Sequence, residues 1–322
     1  MVFNIAQTTP TITEGGAANT YSVSTTGNVT PGVGQTFQVD LSLSTRVDVP
    51  AYEPYSGCAV TIVDDAGGSI KLHETGKGTY RSSDEAEGII GRSYKLMIET
   101  PSGKQYSSDF DELTAPALID SVYPVLENKI DPAFDYELSG YQFYLDSKTS
   151  KEKDVFYLWR LEQTYEYNAD LFIHFLFNGS INPFWPVDSL YTCWISENVN
   201  DIFVFGTTGL ASPELDKFPR NYVSTETREL SVRYSLLVKQ LTVSEKSYRF
   251  WNDVHEQNSG ETSLYTQQLY QIRGNLRNIS DDSEPVLGYF TVAGIDSARI
   301  FVDRPEIIEF NYPVCVIDAV SY

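Results

Sequence analysis

The sequence predicts a mostly β protein: an N-terminal immunoglobulin- or fibronectin-like β-sandwich, then a larger β-rich domain carrying one main α-helix. Three observations predict it. Short apolar–polar alternations recur between Gly, Asp and Pro turn signals over residues 36–112. Aromatic residues are abundant, with 22 Tyr, 17 Phe and 4 Trp in 322 residues, which is enough apolar surface to build a core. Only one stretch, Val243 to about Gln257, combines a capping residue with apolar residues at helical spacing.

Residues 1–35 are rich in Thr, Gly, Ser and Pro and read as a loose leader, with one short strand around Thr20–Thr25. The sandwich follows. Phe37 to Leu43 alternates apolar and polar, the period of a half-buried strand. Ala59 to Val63 runs into Asp64-Asp-Ala-Gly-Gly68, where acid and glycine residues allow a tight reversal. Ile70–Leu72, Tyr80 and Tyr94–Ile98 continue the pattern, and Pro101-Ser-Gly103 opens the last hairpin. Gly91-Arg-Ser-Tyr94 has the spacing of a tyrosine corner, although an ordinary strand tyrosine fits the same residues.

Residues 113–124 hold two prolines in an extended passage and read as a linker running into the first strand of a second domain, 125–322. Its expected strands are 141–145, 155–165, 171–177, 191–195, 202–207, 230–242, 271–278, 286–292 and 299–301. The helix is expected near 244–257, with Ser244 as its cap and Tyr248, Trp251 and Val254 along one face against the sheet.

Charge narrows the partners. With 23 Lys+Arg against 44 Asp+Glu the net charge is −21, which repels phosphate backbones and excludes nucleic acid as the expected partner. The most apolar run, Leu171 to Phe177, is far below the ~20 residues of a spanning helix. The first ten residues have neither a basic nor an apolar signal region, so the chain reads either as cytosolic or as an exported protein whose signal is gone.

No catalytic machinery is legible. There is no GxSxG, HExxH, Walker loop or strand-linked GxGxxG, and His73, His174 and His255 come without a local partner motif. No catalytic residue and no cofactor is expected. Asp64-Asp65 and Asp281 to Glu284 offer oxygens of the kind calcium takes, but turn chemistry explains both, so no metal is assigned. Cys58, Cys193 and Cys315 lack metal or redox spacing; one disulfide with one thiol and three buried thiols fit equally.

The passage Phe177-Asn-Gly-Ser-Ile-Asn-Pro-Phe-Trp-Pro186 is the one candidate binding site. Its composition marks a loop, yet it carries Phe184 and Trp185, which either form a recognition surface or fold back as a lid on the core. Trp159, Trp194 and Trp251 fall within expected elements and are assigned to the core.

Several motifs in fixed order then carry a resemblance. They are Gly57-Cys-Ala-Val-Thr-Ile62, Gly78-Thr-Tyr80, Gly91-Arg-Ser-Tyr94, Ile119-Asp-Ser-Val-Tyr123, Trp159 with Glu162-Gln-Thr-Tyr165, and Arg233-Tyr-Ser-Leu-Leu-Val-Lys-Gln240. Ser247-Tyr-Arg-Phe-Trp251, Gln271-Ile-Arg-Gly-Asn275, Pro285-Val-Leu-Gly-Tyr-Phe290 and Arg299-Ile-Phe301 complete them. From Thr36 to Phe301 the chain resembles a Bacteroidota lipoprotein family catalogued as domain of unknown function 4249. The resemblance implies an exported, lipid-anchored protein of the outer membrane, working beside a TonB-dependent receptor to capture a ligand. Family members begin with a lipidated cysteine after a signal peptide, and this sequence shows neither. The resemblance also implies a counterpart of the family's cysteine-containing tail in Cys315, hence a Cys193–Cys315 disulfide with Cys58 left as a thiol. The family brings no established catalytic or binding residues. A structural or adhesive surface protein, and an enzyme with a dispersed site, stand as alternatives.

Overall fold

The fold was taken from a computed structural model of the chain. It describes residues 21–29, 37–43, 53–83, 88–130, 135–150, 154–186, 189–258, 272–281, 283–284, 286–306 and 310. The first part holds β1 (Tyr21–Val29), β2 (Gln38–Leu43), β3 (Glu53–Pro54), β4 (Ala59–Asp64), β5 (Ser69–Gly76), β6 (Thr79–Arg81), β7 (Ser93–Glu99), β8 (Gln105–Ser108) and β9 (Asp111–Glu112). The second part holds β10 (Leu118–Ile130), β11 (Glu137–Lys148), β12 (Phe156–Asn168), β13 (Phe175–Phe177), β14 (Ile181–Pro183), β15 (Thr192–Asn198), β16 (Phe203–Gly206), β17 (Leu215–Ser224) and β18 (Arg233–Val243). It ends with α1 (Glu245–Asn258), β19 (Leu276–Asn278), β20 (Val286–Leu287) and β21 (Phe290–Asp303). The described residues are therefore mostly β with one helix, as the alternation predicts.

The strand signals act locally as expected. In β7, Tyr94, Leu96 and Ile98 are buried while Met97 and Glu99 face out. The Tyr94 hydroxyl accepts a hydrogen bond from the Ile89 backbone N–H at 2.7 Å, and Gly91 turns the chain at φ +83°. That is the backward bond of a tyrosine corner. Leu72, Ile62, Phe37 and Tyr80 fill the same core.

The core does not close on residues 36–112 alone. Leu276, Phe290 and Val292 belong to it, and β19 pairs with β8. One curled sheet runs in the order β15-β12-β18-β21-β1-β2-β6-β5-β4-β7-β8-β19, so the two parts share strands. β1 provides the seam, pairing antiparallel with β2 and parallel with β21.

Residues 113–117 are built into this seam. Leu113 and Ala117 are fully buried, and the Ala117 N–H donates to Thr242 Oγ1 at 2.8 Å. A Cβ on Gly294 of β21 would sit 2.5 Å from Pro116 N and Thr114 O, so the passage lies directly on the strand.

In the second part, β18 is buried on both faces, the pattern of a covered central strand. The sheet β10-β11-β17 covers one face, where Phe143, Leu145, Tyr157, Trp159, Leu236 and Val238 meet. Helix α1 covers the other, setting Trp251 and Val254 against Leu158, Leu241 and Ile295. The Ser244 Oγ caps α1 by accepting the Ser247 N–H at 3.2 Å. The carboxylate of Asp111 accepts from Ser244 Oγ, from Ser247 Oγ at 2.8 Å and from Val292 N–H at 2.9 Å. It ties β9, α1 and β21 together at the junction. Among the described residues no helix is long and apolar enough to cross a membrane.

The candidate functional site, an exposed apolar hairpin

Strands β12 and β15 pair from Glu162↔Asn198 to Asn168↔Thr192, and the Ala169 N–H donates to Tyr191 O at 2.7 Å. The ladder stops there, and the chain from Asp170 to Leu190 leaves the sheet. Its base is held by the Arg228–Asp170 ion pair at 2.7 Å and by Phe172 stacked on Tyr191 with centroids 4.2 Å apart. Beyond the base, β13 and β14 form a two-stranded hairpin in the register Phe175↔Pro183, Leu176↔Asn182, Phe177↔Ile181. Gly179, at φ +101°, makes the turn between Asn178 and Ser180.

Every residue of both strands is exposed. Phe177 is 77% exposed, Ile181 73%, Phe175 63% and Trp185 82%. With Leu171, Phe172, Leu176, Leu190 and Trp194, nine of the 20 exposed large hydrophobic residues among the described residues fall between 171 and 194. Scattered exposed apolar residues need no explanation, but this many within one short segment make it a candidate interaction surface.

The two residues singled out by sequence fall in this segment. Trp185 stands in solvent and is no lid, whereas Phe184 is half-buried and its N–H donates to His174 O at 2.8 Å. Trp159 and Trp251 are buried as expected. Trp194 is not: it lies on β15, the edge strand of the sheet, and is 59% exposed. Along β15 Cys193 and Ile195 are half-buried while Trp194, on the opposite face, stands in water. The signal that finds this region is charge: from 171 to 187 there is no Asp, Glu, Lys or Arg, with Asp170 and Asp188 bracketing the segment.

The remaining candidates separate. His73 is on β5, His174 precedes the hairpin, and His255 is in the last turn of α1. Asp64 Oδ1 accepts from Ala66 N–H at 2.9 Å and Gly68 N–H at 2.7 Å, and Asp281 Oδ1 accepts from Ser283 N–H at 3.0 Å. Both acids serve their turns. Among the described residues no group of three or more His, Cys, Asp or Glu is placed to hold a metal ion. Cys58 is a buried thiol whose ionisation is pushed up by burial. Cys193 is a thiol on β15 opposite Tyr167, and its neighbourhood raises the Tyr167 phenol above its ordinary value. Cys315, the partner implied for Cys193, lies outside the described residues.

Two arginines are features that sequence reasoning missed. Arg160 on β12 lies over the Trp251 ring at 4.8 Å, with Nε and Nη2 shut from water and unpaired. Burial pushes its guanidinium down to about 10, which leaves it charged at neutral pH. Arg220 on β17 lies 3.9 Å above Trp159 and 4.5 Å above Phe218, and its Nη1 is likewise unpaired. Burial pushes it down to about 9, against the opposing pull of Asp201. An arginine within an alternating strand gives no sequence sign of being enclosed. By contrast Lys239 and Arg299 are both paired, each at 3.0 Å from a Glu162 oxygen.

No curated protein matches this sequence. Residues 11–299 match the family described as Domain of unknown function (DUF4249), and the chain belongs to that family.

Proposed function

We propose that the chain is a non-enzymatic, surface-exposed outer-membrane lipoprotein of a Bacteroidota bacterium, acting as a ligand-capture or accessory partner of a TonB-dependent receptor. The observation that carries the binding part of this reading is the exposed apolar hairpin. Apolar side chains left in water on a projecting ribbon are a standing free-energy cost that another surface removes. The membrane, receptor and phylum parts rest on the ordered motifs that resemble the lipoprotein family.

Two observations weigh against the alternatives. A spacer sandwich in an adhesin would close its own core, whereas this one takes Leu276, Phe290 and Val292 from the far end of the chain. A hydrolytic centre would bring a base within hydrogen-bond reach of a nucleophile. Among the described residues the buried carboxylates are spent structurally: Asp111 on two serines and a backbone N–H at a helix start, and Asp40 on Gln38 and Thr79.

The test is purification of the full-length lipidated protein from native outer membranes in mild detergent, with mass spectrometry of what accompanies it. One TonB-dependent receptor recovered in near-equal amount supports the proposal. Recovery of no barrel protein overturns it and moves adhesion or catalysis forward.

A further inference from the structure

We infer that the hairpin at residues 171–186 inserts into a lipid surface of uncharged or zwitterionic headgroups, giving the protein a membrane contact made by its own fold. The first ground is that the hairpin is unpacked on both sides. Successive strand residues point to opposite faces, yet Phe175, Leu176 and Phe177 are all exposed, as are Ile181, Asn182 and Pro183. A flat protein partner covers one face of such a ribbon; a bilayer surrounds both.

The second ground is the handling of polar groups at the tip. The Asn182 side-chain amide donates to Asn178 Oδ1 at 2.7 Å, to Ser180 O at 3.0 Å and to Ser180 Oγ at 3.1 Å. The Asn178 N–H donates to Ser180 O at 3.3 Å. A turn entering an apolar medium needs this internal pairing, because lipid offers no replacement for water. Strands of three residues reach roughly 10 Å, close to the ~5–10 Å depth of interfacial insertion.

Charge selects the lipid. No Lys or Arg occurs between Arg160 and Lys217, while eight acids do: Glu162, Glu166, Asp170, Asp188, Glu197, Asp201, Glu214 and Asp216. At the base of the hairpin Asp170 is paired with Arg228, so it is the net charge of −21 of the whole chain that repels anionic headgroups and a second copy alike.

The experiment is flotation of the purified chain with phosphatidylcholine vesicles, and with vesicles in which phosphatidylglycerol replaces part of the lipid. The expected result is co-flotation with phosphatidylcholine, weakened by phosphatidylglycerol and accompanied by a blue shift of tryptophan emission that W185F diminishes. F177S and I181S together are expected to lower partitioning about 100-fold, about tenfold for each side chain. Their melting temperature should stay unchanged because neither residue is packed. L126S removes an exposed leucine on β10 and should leave partitioning as it was. Absence of flotation, flotation that survives F177S/I181S, or stronger binding to the anionic vesicles overturns the inference. If vesicles are not bound but F177S/I181S releases a membrane protein from the native complex, the occupant is a protein cleft. Recovery of a receptor from membranes is a separate readout, so either proposal can fail alone.

Discussion

Phe290 and Phe177 are the same side chain in opposite conditions. Phe290 opens β21 and is fully buried in the core that joins the two parts of the molecule. Phe177 ends β13 and is 77% exposed on a ribbon whose residues are all exposed among the described residues. Around Phe290 the polar groups are also settled, with its N–H and C=O bonded to the Asn275 side chain at 2.8 and 2.9 Å. The difference teaches that hydrophobicity in this chain serves two ends. At the seam it specifies the fold; at the hairpin it is held out of the fold at a cost in solubility, so its use lies outside the folded chain.

The comparison breaks most visibly if the sandwich can stand without the seam. Leu276, Phe290 and Val292 are three of the 16 buried residues of that core. Losing each costs roughly 3 kcal/mol, which together approaches the whole ~5–15 kcal/mol of a typical domain. A fragment of residues 36–112 is therefore expected to show no cooperative urea transition. In the full chain F290A should cost about 3–5 kcal/mol in a single shared transition. Two resolved transitions, with only one of them moved, would show that the parts are independent.

The junction at Asp111 sharpens the same point on pH. Burial, working against its hydrogen bonds, holds its carboxyl above the ordinary carboxylate range. The folded state then keeps the proton at pH values where the unfolded state has lost it. Stability from this group is therefore full at low pH and falls as pH rises through the folded value. D111N should flatten that slope while keeping an acceptor for the Val292 N–H. D111A, which leaves buried donors unmet, should cost about 2–4 kcal/mol at neutral pH in denaturant titrations.

Arg160 predicts an effect of opposite sign. Its guanidinium gains a stacking contact with Trp251 worth roughly 0.5–2 kcal/mol but leaves two nitrogens dry and unpaired. Leaving two buried N–H donors unpaired costs about 1–3 kcal/mol each, the larger amount. R160M is expected to raise stability by about 1 kcal/mol in thermal unfolding. Loss of stability would mean that the cation–π contact outweighs the burial.

Legibility in the sequence followed how local each cause is. Strand alternation in 59–64 and 93–99, the Ser244 cap and the Gly91–Tyr94 corner act over a few residues, and all are visible before folding. Sequence patterning gives strands 286–292 and 299–301, whereas β21 runs unbroken over Phe290–Asp303, and Gly294 within it, lacking a Cβ, admits the 114–116 passage. Strand β17 escaped notice because Pro219 reads against a strand, yet it lies at the edge of its three-stranded sheet where proline is tolerated. The parallel pairing of β1 with β21 joins residues more than 260 apart, and no local pattern encodes it. The same limit governs the site. Leu171 to Phe177 reads as an apolar strand, and an apolar strand implies a partner layer. Whether that layer exists depends on the rest of the chain, and the described residues supply none.

The smallest expected effect tests that last point directly. F177S should change unfolding free energy by no more than about 0.5 kcal/mol, the range of surface substitutions away from packed features. By contrast the same exchange at Phe290 would bury an unpaired hydroxyl in addition to opening a cavity. The pair is read by urea titration of both variants against the parent chain. A cost above ~1 kcal/mol at Phe177 would place it in a packed environment in solution, with the hairpin folded onto the protein. Near-neutrality leaves the apolar side chains of residues 171–186 without a structural purpose among the described residues, and that is the condition under which an outside surface accounts for them.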